Sequence, residues 1–313
     1  MSAASSPGLP RPSSGARLKK GLLIYNPTAG QRDRRAQMSA LIDKMRARGL
    51  ELVNAPTQGP GHATQIVREF LARGVDLVAA CGGDGTISEV ACGLAGSSVP
   101  LAALPGGTSN VLVRELAIPL DLDGATELLS EGVPTSVRVL LANERPFLLW
   151  AGAGLDARIM GNTRPTLKRW LGRTGIFVTV ASEFFRYEFP RLEVTVDGAA
   201  HPATFAVVCH ARHYAGDWLI APDASLASDA MDVLLFTGRA RTSFLSLFRQ
   251  IQLGRLGHIT RGLAEIVRGR VVTLRSLESY PVEVHVDGDC ELATPVTCRP
   301  AETTVQILVP RKS

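Results

Sequence analysis

The chain has 313 residues, 45% hydrophobic and 20% charged, with 34 basic against 29 acidic side chains and a formal net charge of +5. The length points to two domains, each with its own core, and the composition excludes a disordered or fibrous protein. The basic excess favours an anionic partner (nucleotide, lipid headgroups or nucleic acid) without choosing among them.

Residues 1–19 are rich in Ser, Pro and Gly and run into a basic end at Arg17, Lys19 and Lys20. They lack the apolar stretch of a secretion signal, so a disordered tail on a cytoplasmic protein is expected. Cys81, Cys92, Cys209, Cys290 and Cys298 show no CxxC or Cys/His zinc spacing, which fits thiols in a reducing compartment. No apolar run reaches the roughly 18 residues of a membrane span.

Gly21 to Tyr25 reads as a strand, stopped by the turn Asn26-Pro27-Thr28-Ala29-Gly30. Met38, Leu41, Ile42 and Met45 mark an amphipathic helix ended near Gly49. Leu50 to Val53 is a second strand, and the turn Thr57 to Ala63 (TQGPGHA) opens a helix carrying Ile66, Val67, Phe70 and Leu71. Val75 to Ala80 is a nearly continuous apolar run, as a buried parallel strand requires. Val99 to Leu104 supplies a fourth strand, followed by Pro105-Gly106-Gly107-Thr108-Ser109-Asn110. Strands alternating with helices imply a doubly wound parallel sheet over 20–135. All four glycine-rich or polar turns follow strands, so all four fall at the carboxyl edge where such sheets bind ligands.

The stretch Cys81-Gly82-Gly83-Asp84-Gly85-Thr86-Ile87-Ser88-Glu89-Val90 is the most informative. Ile87, Val90, Ala91 and Leu94 share one helical face, placing the glycines between strand end and helix start. Free N–H groups and the positive end of the helix dipole face outward there, and glycine permits close approach and positive φ. Asp84 repels phosphate unless a cation intervenes, which a divalent metal carried by a nucleotide resolves, with Thr86 and Ser88 donating to the phosphates. The plainer alternative is an ordinary glycine-rich turn.

Beyond about residue 135 short strands dominate: Ser136 to Leu141, Phe147 to Ala151, Leu192 to Val196, Phe205 to Cys209, Val233 to Phe236, Val271 to Leu274, Val282 to Val286 and Thr304 to Val309. With one helix from about Thr166 to Phe185, they suggest a mainly antiparallel β domain over 136–299, the end at 300–313 returning to the first domain. Gly152-Ala153-Gly154-Leu155-Asp156-Ala157 fits a dinucleotide fingerprint, but Pro165 and the lack of a following acid favour a tight turn touching the cleft. Asp287-Gly288-Asp289 after an alternating strand reads, by itself, as a hairpin turn with solvated acids.

Taken in order, NPTAG, TQGPGHA, GGDGT, PGGTSN, AGAGLDA, VVCHARHYAGDWLIAPDASL and VDGD ahead of ILVP resemble the diacylglycerol kinase catalytic family over residues 20–310. The likeness is to its bacterial soluble lipid kinases, which are related to sphingosine kinases. It implies ATP and magnesium in the cleft and transfer of the γ-phosphate to a lipid hydroxyl. By this resemblance Asn26 contacts phosphate and Thr57 binds nucleotide. Gly82, Gly83, Asp84, Gly85, Thr86, Ile87 and Ser88 form the phosphate loop, Asp84 facing the nucleotide's magnesium, and Thr108 closes the other side. Asp289 stands where the family has a glutamate acting as general base.

Three positions depart from the family pattern. Asp289 is one methylene shorter than glutamate, Val111 replaces an aspartate, and Ser228 occupies the place of a structural-magnesium aspartate; Asp232 matches a later acid of the family, and Asp229 is either a ligand shifted in register or, as the simpler reading has it, part of a plain surface turn. A lipid acceptor also implies peripheral contact with an anionic inner membrane surface. Arg239 to Arg270, with seven arginines among Phe244, Leu245, Leu247, Phe248, Ile251 and Leu253, has the composition of a membrane-lying helix. Lys168 to Arg173 is a second such stretch, and an ordinary solvated basic face is the alternative for both. No nucleic-acid recognition motif is present. An NAD kinase-like enzyme and a lapsed, nucleotide-binding membrane protein remain as other readings, and the lipid's identity and the oligomeric state are unknown.

Overall fold

The computed structural model describes residues 20–27, 35–162, 182–254 and 262–311. The first half alternates strand and helix: β1 Lys20–Tyr25, α1 Arg35–Ala47, β2 Glu51–Pro56, α2 His62–Ala72, β3 Leu77–Gly82, α3 Asp84–Gly93, β4 Leu101–Pro105, α4 Val111–Glu115 and α5 Leu122–Glu131. Then come β5 Val133–Ala142, β6 Arg145–Phe147, β7 Trp150–Ala153 and α6 Leu155–Asn162, with residues 182–186 helical (α7). The second half continues with β8 Leu192–Val196, β9 Ala199–Ala203, β10 Phe205–Cys209, β11 His213–Tyr214, β12 Trp218–Leu219, β13 Met231–Phe236 and α8 Arg241–Gln252. It closes with β14 Ala264–Gly269, β15 Val272–Ser276, β16 Glu283–Val286, β17 Asp289–Ala293 and β18 Val296–Val309.

The expected combination of a parallel α/β half and a mainly antiparallel half is present. Strands β2, β1, β3 and β4 pair in parallel in that order. Every residue of β3 and β4 is buried, the pattern of strands covered on both faces. The same sheet then runs on through β18, β15, β8 and β9, with β5 also paired to β18 and β6 paired to β5. β18 is parallel to β4 at Ile307 and Leu101 but antiparallel to β5 along most of its length. Strands β14, β13, β10, β7, β16 and β17 form a separate antiparallel sheet.

Some boundaries differ from the sequence reading for local reasons. The strand expected over 147–151 divides into β6 and β7, because the N–H groups of Leu148, Leu149 and Trp150 turn to a side chain instead of a neighbouring strand. The turn expected at Gly152–Ala157 runs directly into α6. The basic stretch 239–270 is not one surface helix: α8 buries Phe244, Leu247 and Ile251 in the core, and 264–269 is strand β14. Most of the helix expected over 166–185, including Lys168 to Arg173, lies outside the described residues.

Candidate functional site

The turns after β1, β2, β3 and β4 meet at one sheet edge. The N–H of Asn26 donates to Cys81 at the end of β3, and that of Thr57 donates to Tyr25 at the end of β1. β3 ends at Gly82, Gly83 is extended with ψ 179, and α3 begins at Asp84. The glycines of this loop do not adopt positive φ, contrary to expectation. Close approach is instead what the glycines of the second turn permit. A Cβ on Gly106 would stand 2.7 Å from the Gly82 nitrogen, and one on Gly107 would stand 2.5 Å from the Gly83 Cα. The Gly106 N–H donates to the Gly82 carbonyl at 2.8 Å, so the two glycine turns lie backbone to backbone. Asn110, at φ 49, folds the second turn by accepting from the Gly107 N–H and donating to its carbonyl. This packing sets the segment from Gly82 to Ser88 beside the turn that carries exposed Thr108. Gly85 faces open space, where a ligand could approach the start of α3.

Asp84 is partly buried in this edge, and its Oδ1 accepts from the Leu112 N–H at 3.2 Å, at the start of α4. Burial raises its pKa, the N–H groups of Leu112 and Val111 oppose that, and Asp287 adds repulsion. Val111, one of the departures, is buried and presents its backbone N–H to Asp84.

Ser88, expected in the phosphate loop, has its hydroxyl engaged elsewhere. Its Oγ donates to Asp287 at 2.5 Å, across 199 residues of sequence. The other donors to the Asp287 carboxylate are the N–H groups of Leu148, at 2.9 Å, of Leu149, at 2.9 Å, and of Trp150, at 3.0 Å. Asp287 and Gly288 have positive φ and make the turn between β16 and β17. The hairpin reading of this segment is therefore right in backbone and, for Asp287, wrong in solvation. Asp287 latches α3 to the β6–β7 break and to the hairpin, a role its sequence context did not reveal.

Asp289 opens β17 with its side chain 53% exposed, paired to Arg145 at 2.9 Å. The other arm of Arg145 reaches Glu291 at 2.6 Å. Partial burial raises the Asp289 pKa, Arg145 pulls it down, and Glu291 and Asp287 push it up again. Glu89, on α3, accepts from the Ala63 N–H at 3.3 Å. Its pKa is also raised, chiefly by burial, with Asp289 adding repulsion and Arg145 relieving it. The carboxylates of Glu89 on α3 and Asp289 on the β16–β17 hairpin are thus close enough to act on one another, with Arg145 opposing their repulsion.

Asp229 is in a different setting from the metal site expected of it. Arg138 stands 2.6 Å from one carboxylate oxygen and Arg270 stands 3.0 Å from the other, so the charge is met by two guanidinium groups. Asp232 lies 3.6 Å from Arg268, its pKa raised by burial. Among the described residues no three His, Cys, Asp or Glu side chains are grouped so as to hold a metal ion by themselves.

The arrangement has relatives. Residues 20–142 match the model of the diacylglycerol kinase catalytic domain, and 150–309 match the YegS C-terminal NAD kinase beta sandwich-like domain. The chain is 28% identical over 305 residues to a diacylglycerol kinase of Mycobacterium tuberculosis, covering 92% of this chain and 94% of that one. It is 26% identical over 275 residues to a Pseudomonas putida protein assigned as a YegS-like lipid kinase, covering 87% and 88%. A crystal structure of a candidate diacylglycerol kinase from Bacillus anthracis superposes with a TM-score of 0.75 at 25% identity, covering 95% of this chain and 98% of that one.

Proposed function

The chain belongs to the family that joins a diacylglycerol kinase catalytic domain to a YegS-type β domain, and from that membership and the cleft we propose that it transfers the γ-phosphate of ATP to a lipid hydroxyl, diacylglycerol being the first acceptor to try. The observation that carries this reading is that the Asp287–Asp289 hairpin is docked on α3 through Ser88, while the start of the same helix, at Asp84, packs against the second glycine turn and α4.

In this reading the nucleotide phosphates lie against the backbone between Gly82 and Thr86, at the start of α3, where N–H groups and the helix dipole favour an anion. Asn26, Thr57 and Thr108 border the same edge. A magnesium ion carried with the phosphates would sit on the side of Asp84 and offset its charge. Asp289 would take the proton from the acceptor hydroxyl. That oxygen bonds to the γ-phosphorus, the bond from phosphorus to the β–γ bridging oxygen breaks, and ADP leaves with that electron pair. The shorter side chain of Asp289 makes its position decisive, since a misplacement of about 1 Å lowers rates roughly a hundredfold.

Reaching a lipid requires a membrane-facing surface. Among the described residues Phe185 and Leu245 are the most exposed large apolar side chains, and Arg241 donates to the Phe185 carbonyl at 2.7 Å. Arg241, Leu245 and Arg249 follow at four-residue spacing on the outer face of α8. This mixed basic and apolar stripe fits the surface of an anionic bilayer.

The decisive experiment follows labelled γ-phosphate from Mg-ATP into diacylglycerol, sphingoid bases, phosphatidylglycerol and polyprenol presented in anionic vesicles, with NAD as a soluble control. Labelled lipid that disappears with Asp289→Asn, while ATP still binds, supports the reading. Phosphorylated NAD, or ATP binding with no product from any acceptor, overturns it.

A further inference from the structure

Asp289 works, in the reading above, only if it is both ionised and aimed, and its surroundings oppose the first. Asp287 and Glu291 repel it from the hairpin, and Glu89 faces it from α3. α6 packs against β17 through Cys290, whose thiol donates to the Ala157 carbonyl, and brings Asp156 and Arg158. β16 carries Glu283 and the buried His285. Within this acid-rich setting one guanidinium recurs. Arg145, three-quarters buried on the short strand β6, pairs with Asp289 through one arm and Glu291 through the other. β6 itself packs on α3, and Arg145 acts electrostatically on Glu89 and Cys92 of that helix as well as on Asp289.

We propose that Arg145 is the positioning residue of the general base, clamping the Asp289 carboxylate with one arm while the other arm is anchored on Glu291. A planar fork fixes two carboxylates two residues apart on β17, so it sets the direction of the Asp289 side chain as well as its charge. Such a clamp suits a base that is one methylene short and half exposed, since nothing else in its own side chain restricts where the carboxylate points. The inference rests on Asp289 being the base, and its test separates the two.

The experiment measures kcat and KM for Mg-ATP against pH for the full chain, with dioleoylglycerol in phosphatidylglycerol vesicles or whichever alcohol of the panel accepts phosphate. Wild type, Arg145→Gln, Arg145→Lys and Asp289→Asn are compared, each checked by its melting curve. Arg145→Gln should lower kcat by on the order of ten- to a hundredfold with little change in KM. It should also move the acid limb of the profile to higher pH, because burial and neighbouring acids then act on Asp289 unopposed. Arg145→Lys should restore the limb but only part of the rate, having charge without the fork. An Arg145→Gln profile that overlays the wild type, or falls equally at every pH with its limb in place, overturns the inference while a dead Asp289→Asn keeps the base reading. An active Asp289→Asn removes both.

Discussion

Asp287 offers the most direct check on how the two halves are joined. Its carboxylate accepts from the N–H groups of Leu148, Leu149 and Trp150 and from Ser88. The three donors belong to residues that are 0%, 1% and 5% exposed, so water cannot replace the lost partner without opening the structure. A buried donor left unpaired costs about 1–3 kcal/mol. Three of them, with non-additivity, put Asp287→Ala at roughly 5 kcal/mol, to which alanine at a left-handed φ adds about 1 kcal/mol. Asparagine tolerates that backbone and isolates the carboxylate. Its carbonyl can serve Leu149 and Trp150, which share one oxygen of Asp287, while its NH2 must face the Leu148 N–H. Asp287→Asn should therefore lose about 2–3 kcal/mol and Ser88→Ala about 1–2 kcal/mol. In urea followed by circular dichroism, a slope of roughly 3 kcal/mol per molar converts the alanine loss to a midpoint about 1.5–2 M lower. Hydrogen exchange should show the amides of 148–150 losing protection in the same variants. An Asp287→Ala protein within about 1 kcal/mol of wild type, with those amides still protected, would refute the latch.

Other substitutions probe the cleft and the membrane face. Gly107→Ala drives a methyl group to within 2.5 Å of the Gly83 Cα and should prevent folding or nucleotide binding. Gly85→Ala points into open space and should melt no lower than wild type, so any weakened ATP binding by calorimetry reports ligand contact. The folded state raises the Asp84 pKa, so it binds more protons than the unfolded chain above the usual value of 3.8, and ionised Asp84 lowers stability as pH rises through that interval. Asp84→Asn should hence melt at or above wild type at pH 7, lose the difference below 3.8, and still bind Mg-ATP poorly; a lower melting point at neutral pH would contradict this account. Millimolar magnesium should leave the nucleotide-free melting point unchanged, since Asp229 is already met by Arg138 and Arg270; a rise abolished by Asp229→Asn would restore the metal reading. Phe185→Glu with Leu245→Glu should reduce co-sedimentation with phosphatidylglycerol vesicles without lowering the melting point, because both side chains are exposed.

How far the sequence reached depended on whether a contact was local. β1, β3 and β4 were legible because a strand buried on both faces must be an unbroken apolar run, and Leu77 to Gly82 is one. The turns after them were legible because Gly and Pro interrupt that run at a predictable edge. The use of the glycines was not, since Gly106 and Gly107 answer to the backbone of Gly82 and Gly83 across the sheet, not to their own φ. Ser88 illustrates the same limit. At a helix start after a glycine loop it reads as a phosphate donor, and only the fold brings Asp287 to it. The split of 147–151 into β6 and β7 follows from that carboxylate too.

The Asp287-Gly288-Asp289 segment shows why a hairpin and a site need not compete as explanations. Aspartate and glycine at φ 49 and 95 supply the tight turn that joins β16 to β17. The same backbone directs one carboxylate inward, onto three N–H groups and Ser88, and leaves the next on β17 facing Arg145. Replacing the turn by another with the same φ, Asn-Gly, would preserve the hairpin and remove only the inward charge. If the turn alone mattered, Asp287→Asn would keep full stability; the polar contacts around it require that it does not.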